Sequence, residues 1–476
     1  MNPSLRHRTK RFHAPSIGVA VLLSFGLTAL AAWPAQAAPG DVRWVARYSG
    51  VSGAGGDPAA IAASPDGTRI FVTGTSPGHL DDFATVAYDA ATGAQLWAAR
   101  YDGPAHGDDL AADIAVSPDG SKVFVTGQSA DSNASTGFID WAYETLAYDA
   151  ATGTRLWARR YDVAGQQDVP VAVAVNPKGT LVYVSGHSGG WTGIAYSLST
   201  GDRKWLKHDS SHSLGSMAVS HDGSKLFLIE DHGAGSGVVF GFKAGTGAQL
   251  WTADFGANAS AVTGAPDSKT VFVSGLQWGV PHEPITTTAY NSTTGATRWV
   301  ASHDGGVAFT DAHLAVSPDG AGVIVAALGQ SQRKVPSSGD FITIAYAPKT
   351  GQQLWYADFD STPRLELTTG VDDTPSAVAV APDSSQVFVM GTSCPSDTGG
   401  GICDQGIADY GTVAYDAVTG SQLWTRAYSD SSNSDDEASS GTVTPAGPVI
   451  TGGSCVPDPN TGDCFDDYVT VAYSSS

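Results

Sequence analysis

Positive charge is scarce in this chain: 25 Lys and Arg stand against 47 Asp and Glu, a formal net charge of −22. That balance excludes nucleic acid and anionic membranes as natural partners, because phosphate binding needs Lys and Arg to displace counterions. Charge of either sign is also thin, at 15% of residues, against about 25% in ordinary globular domains. There are 3 Met and 4 Cys. No apolar run beyond Trp33 is long enough to span a bilayer as a helix. No H-E-x-x-H, P-loop or C-x-x-C-H sequence occurs, so zinc-helix, phosphate-cradling and haem-attachment chemistry lack their carriers. Two segments, beginning at Asp131 and Asp458, faintly resemble calcium loops but lack the sixth-position Gly and terminal Glu.

What is present begins with an export signal. Arg6, Arg8, Lys10 and Arg11 form a basic start, Ile17 to Trp33 an apolar stretch, and Ala35-Gln36-Ala37 a small-residue cleavage pattern. Residues 1–37 are therefore expected to be a secretory signal peptide, leaving 38–476 as one extracellular domain. Retention of the apolar stretch as an anchor is the competing reading. Cleavage removes four bases and no acid, so the mature chain is more acidic still.

Cys394 and Cys403 enclose eight residues, as do Cys455 and Cys464. In an exported protein, an even number of cysteines at matched spacing reads as two local disulfides. Each would close a short loop worth roughly 2–3 kcal/mol in the chain-entropy model. A four-thiolate zinc site normally uses tighter C-x2-C to C-x4-C knuckles.

A repeat organises the rest. Thr92-Gly93-Ala-Gln-Leu-Trp97 returns as Thr152-Gly153…Trp157, Thr200-Gly201…Trp205, Thr246-Gly247…Trp251, Thr294-Gly295…Trp299, Thr350-Gly351…Trp355 and Thr419-Gly420…Trp424. Each unit reads as four short strands, a to d, with a short turn such as Pro65-Asp66-Gly67 between a and b and, in all but the last, Thr-Gly between c and d; Gly reaches positive φ there without steric cost. The last unit stops after Tyr473 without the Thr-Gly…Trp phrase, while Val42-Arg-Trp44-Val-Ala-Arg-Tyr48 near the start matches strand d. The expected fold is all-β: an eight-bladed β-propeller of four-stranded antiparallel blades, closed by residues 42–48 completing the last blade.

The segment Ala87-Tyr-Asp89-Ala-Ala-Thr92-Gly93-Ala-Gln-Leu-Trp97 resembles the tryptophan-docking repeat of PQQ-type quinoprotein propellers. The Ser-Pro-Asp-Gly…Phe-Val-Thr-Gly half is similar to bacterial surface-layer-type propeller repeats. The resemblance covers nearly the whole mature chain and implies fold more than activity. The adjacent Cys pair of quinoprotein alcohol dehydrogenases is missing.

Strand order places the short turns on one face and the b–c and d–a connections on the other, where all length variation lies. Two Asp families recur on this variable face. Asp82, Asp140, Asp340, Asp409 and Asp467 begin strand c, and Arg100, Arg160, Arg426 and Arg47 near the ends of strand d are expected to pair with them across the ladder. Asp57, Asp109, Asp168, Asp311, Asp373 and Asp436 precede strand a, with His212 and Asn258 replacing them in two blades. These could accept backbone N–H bonds in the crossover, or, as a ring with His212, hold Ca2+ or another divalent cation. No cofactor is otherwise expected. His187, beside Gly189, Gly190 and Trp191, is the best lone catalytic candidate.

Two functions follow. The first is a monomeric, non-catalytic exported propeller engaging a protein, glycan or small molecule through its variable acidic face. The alternative is an enzyme, a PQQ-like oxidoreductase or metal-assisted hydrolase, using the channel-mouth carboxylates.

Overall fold

The computed structural model describes residues 37–50, 55–78, 80–131, 140–210, 214–231, 236–277, 284–304, 312–330, 339–359, 373–393, 408–430, 436–457 and 464–475. The chain divides into Met1–Gln36 and Ala37–Ser476, and the second unit carries the fold.

Eight sheets of four antiparallel strands make up this unit. Blade one consists of Asp57–Ala63 (a), Arg69–Pro77 (b), Asp81–Asp89 (c) and Gln95–Tyr101 (d). The turn between a and b is drawn tight by Asp66, whose Oδ1 accepts Ser64 Oγ–H (2.6 Å), Thr68 N–H (3.0 Å) and Thr68 Oγ1–H (2.8 Å). Those bonds, the Ser64 one foremost, hold the Asp66 carboxyl down at about 2. Between c and d, Asp89 Oδ1 gathers Ala91 N–H, Thr92 N–H and the Thr92 hydroxyl, and Gly93 follows at φ +72°. A Cβ at Gly93 would lie 2.7 Å from the Trp44 ring, so glycine is needed there twice over.

The strand-d tryptophans join the blades. A bulge at Leu96, between the pairs Ala87↔Trp97 and Tyr88↔Gln95, re-aims the side chains that follow it. Trp97 then lies against Gly153 of blade two and donates Nε1–H to the Ala150 carbonyl at 3.0 Å. The same bond runs from Trp44 to Ala90, Trp157 to Leu198, Trp205 to Ala244, Trp251 to Ser292, Trp299 to Pro348 and Trp355 to Ala417. Buried apolar residues of the described chain fall into eight clusters, each mixing two neighbouring blades. The core is thus a ring of interfaces rather than one central mass.

Ring closure follows the expected exchange. Blade eight comprises Asp436–Thr444 (a), Gly447–Pro457 (b), Cys464–Tyr473 (c) and Val42–Tyr48 (d), the last paired antiparallel to c from Val42↔Tyr473 to Tyr48↔Tyr468. Each strand a contacts strand a of the next blade, and that of blade eight returns to blade one. One bond is missing at the seam. Trp424 of blade seven faces blade eight, where chain ends replace the c–d turn, and its Nε1 has no partner. Gly40, at φ +79°, takes the place of the turn glycine; a Cβ there would lie 2.9 Å from the Trp424 ring.

Candidate functional site

Strands a and c begin, and strands b and d end, on the variable face. At the junction of blades one and two this gathers carboxylates from three elements. Asp82 starts strand c of blade one, Asp102 follows its strand d, and Asp109 starts strand a of blade two (Asp109–Val116). One oxygen of each lies within 4.8 Å of the others. Asp81 and Asp108 adjoin them, and burial together with Asp108, Asp57 and Asp82 raises the Asp81 pKa.

Each member of this trio has its own counter-group. The Arg100 guanidinium contacts Asp82 at 2.5 Å and also donates to Ser76 Oγ and to the Ser76 and Pro77 carbonyls. His106 Nδ1 lies 2.7 Å from Asp102, both exposed. Asp109, wholly buried, accepts Gly103 N–H on Oδ2, and burial pushes its carboxyl up to about 6. Arg100 and His106 thus face Asp82 and Asp102, while Oδ1 of the buried Asp109 is left without a hydrogen-bond partner.

The Asp109 role recurs. Asp168 takes Val163 N–H at 2.6 Å and Asp436 takes Asp430 N–H at 2.9 Å, each closing the d–a connection before it. Both are wholly buried, and burial raises both pKa values. Asp373 is buried at the equivalent position. Asp57 is exposed, opposite Thr75. Asn258 faces Leu276 across its ladder. Asp311 and His212 lie outside the described residues, as do Cys394, Cys403 and the side chains of Cys455 and Cys464.

The strand-c family departs in part from the cross-strand scheme. Arg100 meets Asp82 of its own blade, as expected. Arg47 instead reaches back to Asp430 of blade seven (3.0 Å) and to the Tyr428 hydroxyl. Arg426 approaches Asp41 (3.8 Å), and Arg160 donates to Ser129 Oγ (3.3 Å). Arg47 and Arg426 reach across a junction, so their long side chains choose among neighbours of two blades. Sequence reasoning also passed over Asp102, Asp162 and Asp430, which follow strand d as Tyr-Asp, Tyr-Asp and Tyr-Ser-Asp; the recurring aromatic-then-Asp ending was the available signal.

His187 ends strand b of blade three (Leu181–Ser188), opposite Val169 on one side and Trp191 on the other, and its Nδ1 has no partner. It sits within Gly186-His-Ser188-Gly-Gly190, which, like Gly74-Thr-Ser76-Pro-Gly78, has the spacing of a nucleophile elbow. That motif works on a strand-to-helix turn that lifts the Ser into solvent. Here both serines end a b strand and are buried. Ser188 faces Asp168 across the ladder, while His187 points to the other side of the sheet. His187 is therefore not placed beside Ser188 as its base.

A family model described as outer membrane protein assembly factor BamB, in the PQQ-like repeat class, matches residues 33–213 and 195–457. The chain belongs to that family. Among solved structures, the C-terminal WD40 domain of Sif2 is similar at 11% identity and TM-score 0.58, over 91% of this chain and 98% of that one. Kuenenia stuttgartiensis hydrazine synthase aligns at 13% identity and TM-score 0.48, over 76% and 95%. A mitotic checkpoint complex chain aligns at 14% and 0.47, over 81% and 95%. The first likeness supports the fold, and no curated protein matches. Among the described residues no helix is long and apolar enough to cross a membrane.

Proposed function

We propose that this PQQ-like propeller is exported and acts as a non-catalytic binding scaffold, presenting its acidic variable face to a cationic partner. The observation that supports this is the crowding at the junction of blades one and two. Asp57, Asp81, Asp82, Asp102, Asp108 and Asp109 converge there, and burial together with the close carboxylates raises the Asp81 pKa. Like charges held together cost stability, and an approaching polycation relieves that cost. The export half of the proposal rests on the basic, apolar and small-residue order of residues 1–37.

Titration calorimetry with decalysine tests the binding half. Wild-type protein is expected to bind, with affinity falling about tenfold or more between low and physiological salt. A triple variant, Asp81→Asn, Asp102→Asn and Asp108→Asn, is expected to lose most of that binding while remaining folded. Equal binding by the two proteins, or none by the wild type, overturns the assignment of this face.

A further inference from the structure

Ala37, Ala38 and Pro39 are exposed, and Gly40 is the first buried residue, seated on Trp424. The compact unit begins at Ala37. Residues 38–41 form a tight turn in which Asp41 N–H donates to the Ala38 carbonyl at 2.9 Å. Two bonds fasten it to the other chain end: Gly40 N–H to the Ser474 carbonyl (2.8 Å) and Ser474 N–H to the Asp41 carbonyl (2.9 Å). Within this turn the Ala38 backbone nitrogen lies 2.7 Å from Asp41 Oδ2.

We infer that the bond between Ala37 and Ala38 is the processing site, and that the α-ammonium released at Ala38 is captured by the Asp41 carboxylate. The inference rests on the export proposed above. Small residues at Ala35 and Ala37 are what an export peptidase reads, and the scissile bond lies in the exposed stretch just before the folded turn. Hydrolysis consumes one water. The Ala37 carbonyl carbon gains the hydroxyl and the Ala38 nitrogen gains the hydrogen, then a further proton at neutral pH. The atom that now donates as an amide thereby becomes a cation already at hydrogen-bond distance from a carboxylate. The other charged group facing it is Arg426, on strand d of blade seven (Gln422–Tyr428), 3.8 Å from Asp41 Oδ1 and donating to the Pro39 carbonyl at 3.3 Å.

Full-length precursor expressed in an exporting bacterium tests this. Intact mass and N-terminal sequencing of the protein in the medium are expected to give a chain starting at Ala38. An exported chain starting elsewhere overturns the site. Acylation of the α-amine at pH 7 tests the capture. An ordinary α-amine titrates at about 7.7–8 and a neighbouring carboxylate raises that value, so Asp41→Asn is expected to react about threefold faster. Equal rates in two folded proteins overturn the capture. Asp41 is half exposed, so the variant should keep the parent's melting transition. Should the precursor stay inside the cell uncut, the export reading fails by itself. A chain started at Ala38 by removal of an initiator Met then decides the capture by the same rates.

Discussion

Carboxylates in this chain are moved in opposite directions by where a strand leaves them. Asp66 and Asp119 sit in a–b turns and are held at about 2, chiefly by hydroxyl and backbone donors. At Asp222 burial pulls upward, but the Ser220 and Ser224 donors outweigh it and the value is again about 2. Asp109 and Asp113 are lifted to about 6, and Glu144 to about 7, in each case by burial first. A raised folded-state pKa means the native protein holds a proton that the unfolded chain has released, so stability grows as pH falls through that window. The turn aspartates act the other way, their contribution fading as pH drops below the unfolded value. Melting temperature is therefore expected to rise from pH 7.5 to about pH 5 and to fall below about pH 4. Glu144→Gln should flatten the upper part of the rise and Asp109→Asn the lower. A wild-type profile flat from pH 7.5 to 5 would refute both assignments.

At the scale of the element, the tryptophan of strand d decides how blades hold together. Trp97→Phe keeps most of the buried ring but strands the Ala150 carbonyl, at an expected cost of about 1 kcal/mol in denaturant unfolding. Trp424→Phe should cost measurably less, since Trp424 Nε1 has no partner to lose. Equal losses would mean that the hydrogen bond contributes nothing. These elements could be read from the amino-acid order because the Thr-Gly…Trp phrase recurs almost unchanged, and each of its letters has a local job: a positive-φ turn, a bulge and an interblade anchor. The clusters on the variable face could not be read that way. Asp102 and Asp109 are seven residues apart in the chain and Arg47 meets Asp430 from its far end, and which wall of a junction a long side chain chooses is a tertiary decision. The Gly-x-Ser-x-Gly spacing at Ser188 likewise acquires its meaning only from the fold, which puts it at the end of a strand.

For the whole molecule, closure is the property on which everything else depends. Deleting residues 42–48 removes Trp44 from the cluster joining blades eight and one and leaves Cys464–Tyr473 as an open edge. The deletion should lower the melting temperature by about 10 °C or more, or drive aggregation; an unchanged transition would disprove the composite blade. Among the described residues the group of three converging carboxylates lies at the junction of blades one and two, so under the proposed function a cationic partner is expected off the ring axis.

Gly40 and Ser474 meet at the short-turn end of the seam between blades seven and eight, opposite the long loops. A tether placed just before Gly40 or after Ser474 therefore orients every copy alike, on a bead, an electrode or a cell envelope, with the acidic cluster turned outward. Because Gly40 and Ser474 are already hydrogen-bonded neighbours, a short linker could also join a chain started at Ala38 to its last residues and let the ring be reopened at any Pro-Asp-Gly turn. Such a permuted chain would carry its attachment point to a chosen blade, and the same loops could then be presented from a different azimuth.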